Sequence, residues 1–374
     1  MNLVHMREAL DLAKQGVALA TPNPMVGCVL VGADGTVVGR GFHTWDGVKH
    51  AEIMALEQAG PAAKGATAYV TLEPCSHVGR TGPCADALIA AGIVRVVAAM
   101  GDVNPLVSGA GFAKLRAAGI AVEPAPDYRA EAEKLNEAWL HFIRTGRPLV
   151  TLKCAVTLDG KIAAPEDNSG WITSKRARAH VQELRHATDA MVTGIGTALA
   201  DDPLLTDRSG LKRARPLLRV VLDSLLRLPL ESKLVESADG DVLVIGTSAA
   251  SMERRRALEG AGVEVRILDG PRGRVDIRDT IRLLGQRKCL SVMIEGGSKV
   301  NWAALEAEVV DKVFLYYAPK ILGGMNSLPM AGGTGRQRRV DAIRLERTTI
   351  HQIPPDEFAV EAYIRREVPT GSDS

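Results

Sequence analysis

Three short segments decide the fold and chemistry of the N-terminal half: His50-Ala51-Glu52, Pro74-Cys75 and Pro83-Cys84. One imidazole and two thiolates suit Zn²⁺, whose catalytic sites usually have three protein ligands and a fourth position for water. Zinc lowers the pKa of that water to about 7, so hydroxide is available at neutral pH. The spacing predicts a catalytic zinc centre with His50, Cys75 and Cys84 as ligands. Glu52 is placed to carry the proton.

A structural zinc site is the main alternative interpretation, and it requires four protein ligands. His77 lies between the two cysteines and is the candidate for a fourth ligand. With four protein ligands Glu52 would have nothing to act on, so we favour the catalytic interpretation. A single cysteine is otherwise most often a small buried apolar residue.

A His-x-Glu segment followed by Pro-Cys and a later Cys is the signature of zinc nucleobase and nucleoside deaminases. Eight residues separate the two cysteines here (76–83), where many of these enzymes have two. With the segments TPNPMVG (21–27), GFHTWDGVKHAE (41–52) and TLEPCSH (71–77), this spacing closely resembles the deaminase half of the bifunctional riboflavin-biosynthesis deaminase/reductase. The resemblance implies a cytidine-deaminase-like three-layer α/β domain.

The same resemblance suggests how the first domain binds its substrate. It implies that Asn23 contacts the pyrimidine ring, although asparagine is also a common turn residue. His43, His77 and Arg80 are candidates for contacts to the base or the ribose phosphate. Arg80 suits phosphate because its guanidinium presents a fixed fork of donors.

The second half resembles the dihydrofolate-reductase-like reductase of the same family. The features that carry this resemblance are a strand with Lys153, the segment LDGK (158–161) and the turn EGG (295–297). The resemblance implies that NADPH is the cofactor and is lined by Ala155, Trp171, Thr197, Asp201 and Ser224. It also implies that the phosphorylated substrate is held by Ser169, Arg185, Leu205, Arg208 and Glu295.

The segment IEGGS (294–298) is a candidate pyrophosphate site. Gly296, Gly297 and Ser298 form a strand-to-helix turn, where backbone N–H groups can approach an anion at a helix N-terminus. It is not the G-x-G-x-x-G fingerprint, so a standard Rossmann domain is not implied. The segment GIGT (194–197) is a second candidate cofactor loop.

Three of these reductase residues also fit an ordinary structural role. Trp171 can belong to the core, Asp201 can cap a helix turn, and Arg185 can lie on a solvated face. Either Lys153 or Asp201 can assist proton movement when the ribose ring opens.

Composition limits the class of protein. The 46 Lys and Arg residues nearly balance the 44 Asp and Glu residues, which argues against a nucleic-acid binder. Five scattered cysteines predict reduced thiols and a cytoplasmic location. The N-terminus carries charges and lacks an apolar run, so we expect neither a signal peptide nor a membrane partner. The expected partner is a small phosphorylated pyrimidine, and we expect a homo-oligomer, either a dimer or a tetramer.

Length and local breaks predict two α/β domains. We expect a deaminase domain over 1–145, a reductase domain over 146–367 and a disordered tail over 368–374. The patterns also predict helices over 2–19 and 131–143, and a last long strand over 312–318.

Two other functions remain to be separated from the bifunctional enzyme. One is a deaminase of RNA bases whose second half binds RNA, which the balanced charge and few aromatic residues disfavour. The other is a zinc-stabilised scaffold that only binds a nucleotide. Glu52→Gln separates them, because a scaffold keeps its binding role whereas a deaminase loses turnover and retains zinc.

Overall fold

The computed structural model describes residues 3–77, 82–104, 108–166 and 169–366. The chain forms two compact units, Met1–Arg147 with Lys212–Arg215 and Pro148–Leu211 with Pro216–Ser374. The tail expected over 368–374 lies outside the described residues. Within the described ranges, no helix has the length and apolar character needed to span a membrane.

The first unit is built around a five-stranded sheet with the strand order β2-β1-β3-β4-β5. Strand β1 pairs antiparallel with both β2 and β3. Strand β4 pairs parallel with both β3 and β5. Its elements in chain order are α1 (Leu3–Lys14), β1 (Gly27–Val31), β2 (Val37–Phe42), α2 (Ala51–Ala59), β3 (Thr67–Val70), α3 (Cys84–Ala90), β4 (Arg95–Ala98), α4 (Ala110–Ala117), β5 (Ala121–Pro124), α5 (Arg129–Leu135) and α6 (Glu137–Thr145).

Helices cover both faces of this sheet. A Cβ atom on Gly27 of β1 would lie 2.0 Å from a backbone oxygen of α1, and one on Gly41 of β2 would lie 2.2 Å from a backbone oxygen of α2. The two glycines face opposite sides, because Gly41 pairs with Cys28, the residue after Gly27. The missing side chains let α1 and α2 approach closely, and α2 holds the segment with His50 and Glu52 against the sheet.

Two of the predicted helices are wrong in extent. The helix expected over 2–19 ends at Lys14, and Ala18 has a left-handed φ of 58° that no helix continues through. The helix expected over 131–143 is two helices that meet at Asn136. The Asn136 side chain accepts from the backbone N–H of Met25 at 2.7 Å and donates to its carbonyl at 3.0 Å, so a distant contact interrupts the helix.

The second unit is built around a nine-stranded sheet with the order β11-β10-β9-β8-β12-β6-β13-β16-β15. Its elements in chain order are β6 (Leu149–Thr157), β7 (Lys161–Ala163), α7 (Lys175–His186), β8 (Ala190–Gly194), α8 (Ile195–Asp201), β9 (Leu218–Leu222), α9 (Lys233–Glu236), β10 (Val242–Gly246), α10 (Met252–Gly260), β11 (Glu264–Ile267), α11 (Ile277–Gln286), β12 (Ser291–Ile294), α12 (Ser298–Glu306), β13 (Lys312–Ala318), β14 (Leu328–Pro329), β15 (Leu345–Ile353) and β16 (Glu357–Ile364).

The strands from β11 to β13 all run parallel. Every residue of β8 and β10 is buried, as expected for parallel strands that are covered on both faces. In such sheets ligands bind beyond the carboxyl ends of the strands. The carboxyl ends of β8 and β12 lead directly into the segments GIGT and IEGGS.

The prediction that 312–318 is the last long strand is wrong. Two antiparallel strands, β15 and β16, follow it at the edge of the sheet. Most residues of β15 are exposed, so its sequence LERTTIHQI carries no buried apolar stripe. An edge strand of this kind lacks the alternation that identifies half-buried strands.

Candidate functional site

Three side chains of the first unit meet in one place. His50 Nδ1, Cys75 Sγ and Cys84 Sγ lie within 4.8 Å of one another, and His50 Nδ1 is 3.1 Å from Cys84 Sγ and 3.5 Å from Cys75 Sγ. Ligand atoms around a tetrahedral zinc ion lie about 3.5–3.8 Å apart, given bond lengths of about 2.0–2.3 Å. The three atoms therefore fit a zinc ion after small shifts. His77, the candidate fourth ligand, is exposed and is not one of this group.

The fold places each ligand at the start of a helix or next to one. His50 is the residue before α2, and Cys84 is the first residue of α3. The backbone N–H of Cys84 donates to Cys75 Sγ at 3.3 Å. Hydrogen bonds from Cys84 and from His50 hold the pKa of Cys75 below its ordinary value. The thiolate, which is the form that binds metals, is thus favoured at Cys75.

Glu52 is a buried acid beside the three ligands. It is the second residue of α2 and is only 3% exposed. Burial raises the pKa of Glu52 to about 7, from an ordinary value of 4.5. A carboxyl group whose pKa lies near the working pH can both accept and release a proton.

The four substrate-binding residues predicted for this unit do not all lie in the same place. Asn23 and His43 lie together, with 3.0 Å between the Asn23 amide nitrogen and His43 Nε2. The His43 ring packs edge-on against the His50 ring, with 5.3 Å between centroids. His77 is exposed near the second ligand. Arg80 lies outside the described residues.

Sequence reasoning missed Glu73, which directly precedes Pro74-Cys75. Its carboxylate is buried and accepts four backbone N–H groups, from Asp102 and Gly109 at 3.1 Å, from Gly111 at 2.9 Å and from Phe112 at 3.2 Å. These donors belong to the loop before α4 and to its first turn. The only sequence signal was a carboxylate between the apolar residue Leu72 and a proline, which does not reveal its distant partners.

We expect Glu73→Ala to destabilise the first unit by about 2–4 kcal/mol, because it leaves four backbone donors without their charged acceptor. Urea unfolding followed by circular dichroism measures this effect. Glu57→Ala on the exposed face of α2 is the control and should change stability by less than about 0.5 kcal/mol. Equal unfolding midpoints for the two variants would show that the Glu73 carboxylate does not hold this loop.

A large cleft of about 2750 Å³ lies in the second unit. A typical small-molecule site encloses 300–1,000 Å³, so this cleft has room for a dinucleotide and a second ligand. The structure brings all fourteen predicted reductase-site residues to its lining: Lys153, Ala155, Ser169, Trp171, Arg185, Thr197, Asp201, Leu205, Arg208, Ser224, Glu295, Gly296, Gly297 and Ser298.

Glu295 joins two cations on the wall of this cleft. The Arg185 guanidinium donates to both carboxylate oxygens at 2.9 Å, and Lys153 Nζ donates at 3.4 Å. Arg185 also donates to the carbonyl of Thr206, which fixes the segment that carries Leu205. Burial alone would raise the pKa of Glu295, but Lys153 and Arg185 outweigh it and lower the pKa to about 2. The Glu295 carboxyl group is therefore expected to be ionised at neutral pH.

The turn after β12 has the properties expected of an anion site. Ser298 begins α12, and its buried hydroxyl has no hydrogen-bond partner among the described residues. A Cβ atom on Gly296 would lie 2.8 Å from the Val300 side chain, so the backbone turns too tightly for a larger residue. Backbone N–H groups at such a helix start bind phosphate. The segment fits the pyrophosphate of a dinucleotide.

The segment GIGT was expected to be a loop, and this is wrong. Helix α8 begins at Ile195, so Thr197 lies in its first turn. β8 is buried along its whole length and passes directly into the helix. Thr197 still lines the cleft.

The ordinary structural roles of Trp171 and Arg185 are excluded. Trp171 is 69% exposed and packs on the Arg178 guanidinium, 4.4 Å from the ring centroid, so it is not a core residue. Arg185 does not lie on a solvated face, because its side chain is 12% exposed and bound to Glu295. Asp201 is the last residue of α8 and is exposed at the cleft.

Sequence reasoning assigned no basic residues to a second phosphate of the cofactor. Basic side chains outside the predicted set also line the cleft, among them Arg227, Lys233, Arg272, Arg274 and Arg278. They come from segments after β9 and β11 whose arginines resemble ordinary surface charges in the sequence. Their position shows where the cleft carries positive charge.

The two halves match two known domain families. Residues 2–100 match the cytidine and deoxycytidylate deaminase zinc-binding region, and residues 148–357 match the RibD C-terminal domain. The chain is 41% identical over 355 residues to the riboflavin biosynthesis protein RibD of Actinobacillus pleuropneumoniae, covering 95% of this chain and 93% of that protein. It is 41% identical to RibD of Escherichia coli, covering 94% and 96%.

Solved structures agree over the whole length. Acinetobacter baumannii RibD superposes with a TM-score of 0.85 at 37% identity, covering 97% of this chain and 98% of that one. The deaminase/reductase from Thermotoga maritima gives a TM-score of 0.80 at 36% identity, with the same coverage.

The fold and sites define a zinc-dependent deaminase joined to an NADPH-dependent reductase. The chain belongs to the RibD family of riboflavin biosynthesis proteins. The expected fold class is confirmed, with a cytidine-deaminase-like first domain and a dihydrofolate-reductase-like second domain. The expected bifunctional activity in riboflavin biosynthesis is confirmed as well.

Proposed function

We propose that the first unit deaminates 2,5-diamino-6-(5-phosphoribosylamino)pyrimidin-4-one and that the second reduces the ribosyl side chain to ribityl, giving 5-amino-6-(5-phosphoribitylamino)uracil. The observation that carries this proposal is the pairing of two sites in one chain. One is a His-Cys-Cys cluster beside a buried acid, and the other is a cleft large enough for a dinucleotide and a sugar phosphate.

In the deamination, His50, Cys75 and Cys84 would hold zinc, which when bound would lower the pKa of water to about 7 by Lewis acidity. Glu52 accepts a proton from the water that attacks the amine-bearing carbon and delivers it to the departing ammonia. Its raised pKa suits both transfers, because neither the protonated nor the ionised form is strongly disfavoured near neutral pH. Asn23 holds the pyrimidine ring.

In the reduction, the ribose opens to a Schiff base at its former anomeric carbon. Bound in the cleft, NADPH would supply the hydride for this carbon. We assign the proton donor of the ring opening to Lys153 rather than to Asp201. The Lys153 side chain is 13% exposed, and its ammonium lies beside the ionised carboxylate of Glu295. Ser298 and the backbone of Gly296 and Gly297 hold the pyrophosphate.

The remaining cleft residues hold the two ligands. The cofactor part of the cleft is lined by Ala155, Trp171, Thr197, Asp201 and Ser224. Ser169, Leu205 and Arg208 contact the phosphorylated substrate, and Arg185 orients Glu295 beside it. The homo-oligomeric state and the cytoplasmic location remain proposals that rest on the sequence.

The decisive test incubates the full chain with the diaminopyrimidinone ribosyl phosphate, with and without NADPH. We expect ammonia release without NADPH, and oxidation of NADPH only after deamination has begun. NADPH oxidation without ammonia release, or no ammonia release from zinc-loaded protein, would contradict the assigned order.

A further inference from the structure

His43 has both ring nitrogens engaged by the protein. The residue directly follows β2 and is 3% exposed. Its Nδ1 lies 2.9 Å from the backbone carbonyl oxygen of Lys49, and its Nε2 lies 3.0 Å from the amide nitrogen of Asn23. A histidine that binds a ligand directly would instead keep one ring nitrogen available for that ligand.

The distances from the His43 ring to Lys49 and Asn23, both among the described residues, indicate the tautomer of the ring. A carbonyl oxygen only accepts hydrogen bonds, so Nδ1 carries the proton that binds Lys49. In the neutral ring, Nε2 then has a lone pair and accepts a hydrogen bond. Asn23 must therefore direct its NH₂ group toward His43, since the amide oxygen has no proton to donate.

This contact decides which end of the Asn23 amide a ligand meets. The NH₂ group is used by His43, so the amide oxygen is left as an acceptor. Within the described residues, the Asn23 side chain makes no other hydrogen bond. The His43 ring, which binds this amide, lies 5.3 Å from the ring of His50 in the His-Cys-Cys cluster.

We propose that His43 is a positioning residue that locks the Asn23 amide with its oxygen toward the substrate, so that the deaminase site selects a pyrimidine edge carrying an N–H donor. The proposal rests on the deaminase function proposed above and refines the recognition of its substrate. It also revises the expectation that His43 contacts the substrate itself.

A pyrimidine ring that presents a hydrogen-bond acceptor to the Asn23 amide oxygen places two acceptors opposite each other. Losing one hydrogen bond in this way is expected to weaken binding about tenfold to a hundredfold. If His43 acts only through Asn23, its removal lets the amide rotate, and both substitutions then cost the same hydrogen bond. Effects of residues in one network of this kind are not additive.

The first experiment is a double-mutant cycle on the zinc-loaded full chain. His43→Phe keeps the ring volume and removes the acceptor, and we expect KM to rise at least about tenfold with a smaller change in kcat. His43→Gln retains an acceptor for Asn23 and is expected to return KM to within about threefold of wild type. Adding His43→Phe to Asn23→Ala should raise KM no further than Asn23→Ala alone.

Multiplicative losses in the double variant would overturn the proposal, because they would mean that His43 contacts the substrate independently. The zinc content and thermal midpoint of each variant report whether the fold is intact. An unchanged KM in His43→Phe would also overturn it.

The second experiment does not depend on turnover. Long-range ¹H–¹⁵N spectra of the wild-type chain, with the His43 signals assigned by their loss in His43→Phe, report the tautomer directly. We expect a proton on Nδ1, and an Nε2 shift that changes in Asn23→Ala. A proton on Nε2 would overturn the proposal, whereas the absence of ammonia release with the expected tautomer would count against the deaminase substrate alone.

Discussion

Replacing Glu52 with glutamine is expected to lower the rate of ammonia release about 10²–10⁴-fold. This is the usual contribution of a general acid–base residue. Glutamine has nearly the same shape but cannot take a proton from water or return one to the leaving amine. The Glu52 side chain is only 3% exposed, so bulk solvent has little access to take over its role. Ammonia release from the diaminopyrimidinone at saturating substrate measures the effect.

Two controls make this result specific. Glu57→Gln changes an exposed carboxylate on the same helix and should leave the rate unchanged. NADPH oxidation by Glu52→Gln should also stay at the wild-type rate when the deaminated substrate is supplied. A variant that keeps its zinc and still releases ammonia at more than a tenth of the wild-type rate would exclude Glu52 as the proton carrier.

Glu295→Gln is expected to have the second largest effect, this time on the reductase. The substitution removes the anion between Lys153 and Arg185 and leaves two partly buried cations facing a neutral amide. Breaking a buried ion pair by removing one partner costs about 3–5 kcal/mol. We expect a comparable loss of stability in the second unit and at least about a hundredfold loss of NADPH oxidation, with ammonia release unchanged.

The loss of stability should depend on pH in a defined direction. The folded pKa of Glu295, about 2, lies below its ordinary value of 4.5. Its contribution is therefore fully present above about pH 4.5 and is lost as the pH falls toward 2. The difference in unfolding free energy between wild type and Glu295→Gln should shrink over that window.

Glu361→Gln is a matched control, because Glu361 pairs with Lys312 at 2.7 Å and both side chains are 9% exposed. It should reduce stability without slowing NADPH oxidation in the protein that remains folded. Equal losses of reductase rate in the two variants would mean that the Glu295 effect is merely structural.

The cluster of His50, Cys75 and Cys84 could be predicted because its chemistry is local. His50, Cys75 and Cys84 each lie next to a turn or helix start that the sequence already marks with proline or with an apolar run. Few residue types bind zinc, and three of them in this order leave few other interpretations. The close approach of α2 to the sheet became visible only in the structure. That approach depends on Gly41 and not on the ligands.

The features that the sequence did not reveal depend on partners far along the chain. Glu73 binds backbone N–H groups about thirty to forty residues away, and backbone donors leave no mark on residue identity. The break at Asn136 arises from its contact with Met25, 111 positions earlier. The strand β15 was missed because an exposed edge strand has no apolar periodicity.

In the reductase site, the sequence likewise did not reveal contacts between residues that are far apart in the chain. Lys153, Arg185 and Glu295 could be assigned through family resemblance, but their ion pairs could not. The sequence therefore did not show that Arg185 is bound to Glu295 rather than turned to solvent. Tertiary contacts decide which charged groups face each other, and charge patterning alone does not.

The central claim is that one imidazole and two thiolates hold a metal with an open position next to an acid. X-ray absorption at the zinc edge of the purified full chain tests it most directly. We expect one zinc ion per chain, with two sulfur atoms at about 2.3 Å and two nitrogen or oxygen atoms at about 2.0–2.1 Å, one of which exchanges with added ligands. A chain without zinc, or a zinc ion enclosed by four protein side chains that no added ligand can displace, would contradict the account.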